Sequence, residues 1–214
     1  MTLAAAVPAR PREKVCDLGA GAGTAFLCLA ARVSDLHVTA VEIDEAYAEL
    51  ARANAARNGV ICEVAVADVL KRPRGLPRQA FHHVLTNPPY HDIARGTRAP
   101  AAAKAVATSS HACELGEWLR FARSLTRPKG MITVIVPPDQ LTLALAALSP
   151  EGKGVEIIPL WPKQGEPAKR LIIRTRMNSN APLQLHAGLV LHTTAGKPTA
   201  EAEAVLRHAG ALIT

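Results

Sequence analysis

An α/β fold with a mostly parallel sheet follows from three features of this chain. Short β-branched runs alternate with Ala-rich helical stretches through the first 150 residues. Glycines follow the first such run, where a strand hands over to a helix. Beyond residue 150 the alternation stops, and two strands follow one another with no helix between them. Alternation at this spacing lays helices on both faces of parallel strands.

The elements follow in order. Residues 15–18 form a strand, and an Ala/Leu helix runs from the glycines to about Val33. Residues 37–43, reading V-T-A-V-E-I after His37, are a second strand. The next helix runs through Asn58 with Ala46, Leu50 and Ala53 on one face, and Asn58-Gly59 closes it. A third strand at 61–66 leads to Asp68, and a fourth at 81–86 leads into Asn87-Pro88-Pro89-Tyr90. A helix over about 116–125, a turn at Pro128-Lys129-Gly130 and a fifth strand at 131–136 complete the alternating part. Strands at 155–161 and 170–177 make an antiparallel hairpin, which is expected at the sheet edge. An apolar run at 189–192 precedes a terminal helix over about 199–208, with Glu201 and Glu203 in its first turn. Neither a repeat nor a linker divides the chain, so residues 1–214 are expected to form one domain.

Composition narrows the class. With 214 residues and 49% apolar content, the chain is long and apolar enough for a packed core, which excludes a disordered polymer. No stretch approaches the roughly 20 uncharged apolar residues of a membrane span. Arg10, Arg12, Glu13 and Lys14 leave no apolar core for a signal peptide, so a cytoplasmic protein is expected. Cys16, Cys28, Cys62 and Cys113 form no C-x-x-C pair and read as reduced thiols, and no metal site is expected. The formal charge of +7 favours a polyanionic partner.

Asp17-Leu18-Gly19-Ala20-Gly21-Ala22-Gly23 is a G-x-G-x-G turn between strand and helix. Glycines let the chain turn sharply and let a ligand approach the main chain. Glu42 ends the second strand, where a carboxylate can take both hydroxyls of a ribose. Asp68 follows the third, placed to accept from an adenine amino group or to cap the next segment. All three acids are expected to point into the crevice at the carboxyl edge of the sheet.

Asn87-Pro88-Pro89-Tyr90 leaves the fourth strand on that same edge. The prolines fix φ near −65° and remove two N–H donors, so the carbonyls of Asn87 and Pro88 are presented outward. The Asn87 amide adds an acceptor and Tyr90 a stacking face. A planar exocyclic amine needs two acceptors for its hydrogens and a ring to hold its plane. Rate then comes from alignment and electrostatic fit rather than from a strong base.

These motifs resemble the class I S-adenosylmethionine-dependent methyltransferases. The resemblance implies a Rossmann-like, seven-stranded, mostly parallel sheet with an antiparallel edge hairpin. It also implies that Asp17 and the Gly19, Ala20, Gly21 and Gly23 backbone face the methionine part of the cofactor. Glu42 would take the ribose and Asp68 the adenine, with Ile43, Val69 and Asn87 completing the site. Asn87, Pro88, Pro89 and Tyr90 resemble the catalytic motif of methyltransferases acting on planar nitrogens: adenine N6, exocyclic guanine amines, and the glutamine amide of release factors.

Residues 4–10, 29–33, 160–162, 167–170, 182–191 and 198–202 are similar to the bacterial tRNA(Val) adenine-37 N6-methyltransferase family. That family carries more chain ahead of the first strand and more often an aromatic where His91 stands; either the start is misassigned, the chain is trimmed, or the cofactor site is partly open.

Basic residues fit an RNA partner. Lys71, Arg72, Arg74 and Arg78 share an acid-free stretch; Arg170, Arg174 and Arg176 share one strand face with Ile172; Arg95, Arg98 and Lys104 follow the tetrapeptide. Substrate contact is expected from Tyr90, His91, Arg95, Arg98, Arg170 and Arg174, with a solvated surface as the bland alternative. Trp118 and Trp161 read as packing residues and His82-His83 as the start of a strand. The expected function is transfer of a methyl group from S-adenosylmethionine to adenine N6 of RNA, in particular tRNA. A protein glutamine-amide methyltransferase and a cofactor- or RNA-binding module without turnover remain as alternatives.

Overall fold

A computed structural model describes residues 1–89 and 114–212 of the chain. Four parallel strands start it: β1 (Lys14–Leu18), β2 (His37–Glu42), β3 (Cys62–Val66) and β4 (Phe81–Thr86). β5 (Thr126–Val136) pairs parallel with β4, and β6 (Val155–Lys163) and β7 (Arg170–Arg176) form the antiparallel hairpin. Two short strands follow, β8 (Gln184–Leu185) and β9 (Leu189–His192). The order across the sheet is β3-β2-β1-β4-β5-β7-β6-β8, with β9 also on β6.

Strand order reverses between β1 and β4, and in an open α/β sheet that reversal opens a crevice at the carboxyl ends. Leu18 is paired with Thr86, so the glycine turn and Asn87 leave the sheet side by side.

Alternation along the strands divides the core between the two faces. Val15, Val38, Ala40 and Leu85 point toward α1 (Thr2–Ala5), α2 (Thr24–Ala30) and α3 (Glu45–Arg57), where Leu3, Phe26, Leu29, Ala51 and Ala55 meet them. Cys16, Leu18, Val41, Val84 and Ile132 point the other way, onto helix α4 over residues 114–125 and α5 (Leu141–Leu148). A third cluster packs Ile158, Leu160, Ile172 and Leu189 against Ala5, Ala6 and, from α6 (Ala200–Arg207), Val205.

Several expectations need correcting. Among the described residues the sheet has nine strands rather than seven, and the hairpin is not its edge: β8 and β9 cover β6 with parallel pairs. Pro128-Lys129-Gly130 is no free turn but a bulge within β5, where the register shifts between Phe81 and His83. On α3 the buried residues are Ala48, Ala51 and Ala55, whereas Ala46, Leu50 and Ala53 face water. Polar spacing alone does not distinguish two Ala-rich faces of one helix. α5 was not expected, because Leu-Thr-Leu-Ala-Leu-Ala-Ala-Leu is apolar on nearly every side and shows no helical stripe.

Arg174 overturns the expected phosphate contact on the hairpin. It is 9% exposed, makes an ion pair with Glu156 across β6 and donates to the Ala6 carbonyl at 3.4 Å. Its face is the one that buries Ile172 completely, so a cation there serves the packing of the hairpin. Arg170, at the exposed start of β7, donates to the Lys169 carbonyl. Breaking a largely buried ion pair strands the remaining charge. Arg174→Ala is therefore expected to lower the unfolding free energy by roughly 3 kcal/mol in urea denaturation; an unchanged midpoint would show that the pair contributes nothing.

Candidate functional site

The glycine turn is held in a left-handed backbone that only glycine adopts freely, with φ of 72° at Gly19, 54° at Gly21 and 93° at Gly23. It is tied down from four directions. Gly19 and Ala20 donate to the Val41 carbonyl at 2.8 and 3.0 Å, bonding the turn to β2. Gly21 donates to Glu42 Oε2 at 2.7 Å. From α3, the Asn54 amide donates to the Ala22 carbonyl at 3.0 Å. From α4, the Trp118 ring lies where a Cβ on Gly19 would come within 3.0 Å. Gly21 has open space around it, so the middle of the turn is approachable.

Glu42 is 9% exposed, and its second oxygen accepts from Ile43 and Asp44 at 2.8 and 3.0 Å. Three backbone N–H groups thus fix the carboxylate at the end of β2, as the sequence led us to expect of its position. Ile43 beside it is 64% exposed and Leu70 is 39% exposed. The strand ends that carry them are neighbours, since Ala67 donates to the Glu42 carbonyl at 2.8 Å. Leu70, exposed two residues after the capping Asp68, was not among the residues singled out from sequence.

Asp68 takes the capping role: its Oδ1 accepts from Leu70 N at 2.9 Å and opens a short 3-10 turn, Val69–Lys71. The Val69 side chain is buried in the core, which corrects its assignment as a cofactor contact; only its backbone remains for that role.

Asp17 does not point into the crevice. The period of two turns its side chain onto the α2 face, where it is 1% exposed and accepts from Phe26 N at 3.2 Å. It braces the start of α2 from below. Burial, opposed by that hydrogen bond and aided by the Glu42 charge, pushes its pKa up to about 7.

Thr86 joins the two halves of the site. Its hydroxyl donates to the Leu18 carbonyl at 2.7 Å and accepts from the Trp118 indole at 2.9 Å. Trp118 is thus more than packing. Asn87 then projects into solvent with no partner among the described residues, Pro88 is buried and Pro89 exposed. Tyr90, His91, Arg95, Arg98 and Lys104 lie outside the described residues. Of the basic stretch after β3, Arg72 pairs with Glu117 and Arg78 lies 4.8 Å over the Phe121 ring, so both secure the loop to α4.

Residues 1–123 match the model of the methyltransferase small domain. The chain belongs to that family. The tRNA1(Val) (adenine(37)-N6)-methyltransferase of Shewanella frigidimarina is 29% identical over 175 residues, covering 77% of this chain and 67% of that one. The chain spans between half and two thirds of the length of such curated relatives. Among solved structures, the Agrobacterium tumefaciens protein Atu636, described as a predicted O-methyltransferase, has a TM-score of 0.80 at 29% identity, covering 98% of this chain and 96% of that one. The Thermus thermophilus 16S rRNA N2 G1207 methyltransferase, solved with AdoMet and guanosine, shares the fold at a TM-score of 0.55 and 19% identity, over 78% of this chain and 38% of that one.

The state of Asp17 has a measurable consequence. The folded protein keeps on this carboxyl a proton that the unfolded chain releases near pH 4. Its contribution to stability is greatest below that point, falls as the pH rises, and levels off above about 7. Asp17→Asn is expected to flatten the stability profile between those limits and to raise stability at pH 8, read from denaturation midpoints; an unchanged slope would mean Asp17 is ionised when folded.

Proposed function

We propose that this chain transfers a methyl group from S-adenosylmethionine to the exocyclic N6 of an adenine in tRNA, in the cytoplasm. The observation that carries this reading is the pairing of Leu18 with Thr86, which sets a braced glycine turn directly beside Asn87 and Pro88. The residues fit the cofactor. Gly21 offers an approachable backbone, Glu42 a fixed carboxylate suited to ribose hydroxyls, and exposed Ile43 and Leu70 an apolar lining suited to a purine. Bound there, S-adenosylmethionine supplies an electrophilic methyl group on a sulfonium.

The Asn87 amide oxygen and the adjacent backbone carbonyls accept the two hydrogens of the acceptor amine. Holding them in that geometry turns the nitrogen lone pair out of conjugation and along the line of attack. The N–C bond forms as the C–S bond breaks, and the positively charged nitrogen then loses a proton to water. An alcohol offers one hydrogen to this set of acceptors, so the arrangement suits an amine better. The relatives named as tRNA adenine-N6 methyltransferases and the net charge of +7 support RNA as the carrier of that amine.

Labelled S-adenosylmethionine and an unmodified tRNA(Val) transcript test the reading, with the product nucleoside identified by mass spectrometry. N6-methyladenosine is expected, and Asn87→Ala should lower kcat by about a hundredfold or more while leaving cofactor Kd nearly unchanged. Methylguanosine as the product, or undiminished turnover in the variant, would contradict it.

A further inference from the structure

Near the carboxyl edge of the sheet several of the described cations are paired with carboxylates. Glu117 pairs with Arg72 and Arg120, and Glu45 and Glu49 pair with Arg52. At the opposite rim, where the parallel strands begin, Lys14, Arg123, Arg127, Lys129 and Arg176 have no carboxylate partner among the described residues. Among the described residues, a group of unpaired cations therefore gathers at the rim away from the glycine turn.

That rim is also concave. A polar cavity of about 480 Å³ opens between the end of α4, the α5–β6 connection and the end of β7. Arg123, Lys153, Arg176, Asn178 and Asn180 line it, and its one acid, Glu151, is taken by Lys153 at 3.3 Å. Thr175, whose hydroxyl has no hydrogen-bond partner among the described residues, lies in its wall. Lys129 adjoins the cavity: its backbone N–H donates to Met177 O at 3.1 Å, and its carbonyl accepts from Arg176 Nη1 at 3.2 Å. Burial and the neighbouring Arg127 charge hold His82 below the usual imidazole range, in keeping with a positive local potential.

We propose that this cleft, with Arg127 and Lys129 on its flank, binds phosphates of the RNA substrate away from the reacting base. Guanidinium and ammonium groups beside amide donors are the set that holds phosphate oxygens and positions a nucleic acid without reading its sequence. The five residues of β1 separate the two rims by about 17 Å at the usual rise per residue. A free nucleoside is too small to reach both, whereas a folded RNA extends that far. The inference rests on the RNA reading above.

The test compares the wild-type chain with a Lys129→Ala/Lys153→Ala/Arg176→Ala variant. Fluorescence anisotropy with an unmodified tRNA transcript is recorded between about 50 and 200 mM salt. The variant is expected to bind about tenfold or more weakly, with a salt slope shallower by about two to three, since each lost phosphate contact removes close to one. Its calorimetric affinity for S-adenosylmethionine should equal the wild-type value, which shows that the fold is intact. Equal tRNA affinity and slope in the two proteins would overturn the cleft alone. Displacement of tRNA by polyglutamate at matched charge would overturn RNA as its occupant. Failure of the wild-type chain to bind tRNA at all would overturn the RNA reading itself.

Discussion

The site depends on one lateral contact: β1 beside β4, locked where both strands end. Backbone pairing brings Leu18 opposite Thr86, and the Thr86 hydroxyl closes the end of that ladder onto the Leu18 carbonyl. Because sheet order reverses here, no helix connection crosses above, and the two segments that follow are free to face a common space. Without this contact, the glycine turn and Asn87 would be two loops on one edge rather than two walls of the proposed site.

Each brace on the glycine turn comes from a different element: β2 through Val41 and Glu42, α3 through Asn54, α4 through Trp118, and β1 through Asp17 beneath α2. A left-handed backbone at three glycines is entropically costly to order, and these contacts hold it before any ligand arrives. Preorganisation of this kind is what an alignment-driven transfer requires. The buried acid at position 17 is accommodated by a pKa raised to about 7 and by the hydrogen bond it accepts from Phe26 N.

Much of this was legible in the sequence, for identifiable reasons. Strand–glycine–helix order, an acid closing β2 and Asn-Pro-Pro after β4 are local patterns, and local geometry decides where they lie. What escaped depends on contacts between distant segments. Arg174 looked like a surface cation because alternation shows which residues share a face, not that Ala6 and α6 cover it. Asp17 looked like its partners Glu42 and Asp68 because each closes a strand, yet it stands one residue short of the end and turns to the other side. β8 was invisible at two residues, and Leu70 became meaningful only once Ala67 was seen bonded to Glu42.

Thr86→Val tests the central claim most directly, because valine keeps the shape and β-branching and removes only the hydroxyl between Leu18 and Trp118. The account predicts a loss of about 1–3 kcal/mol of stability and a fall in kcat with cofactor Kd little changed, both restored by Thr86→Ser. Wild-type stability and turnover in Thr86→Val would contradict it, since the two strand ends would then hold their positions without the bond.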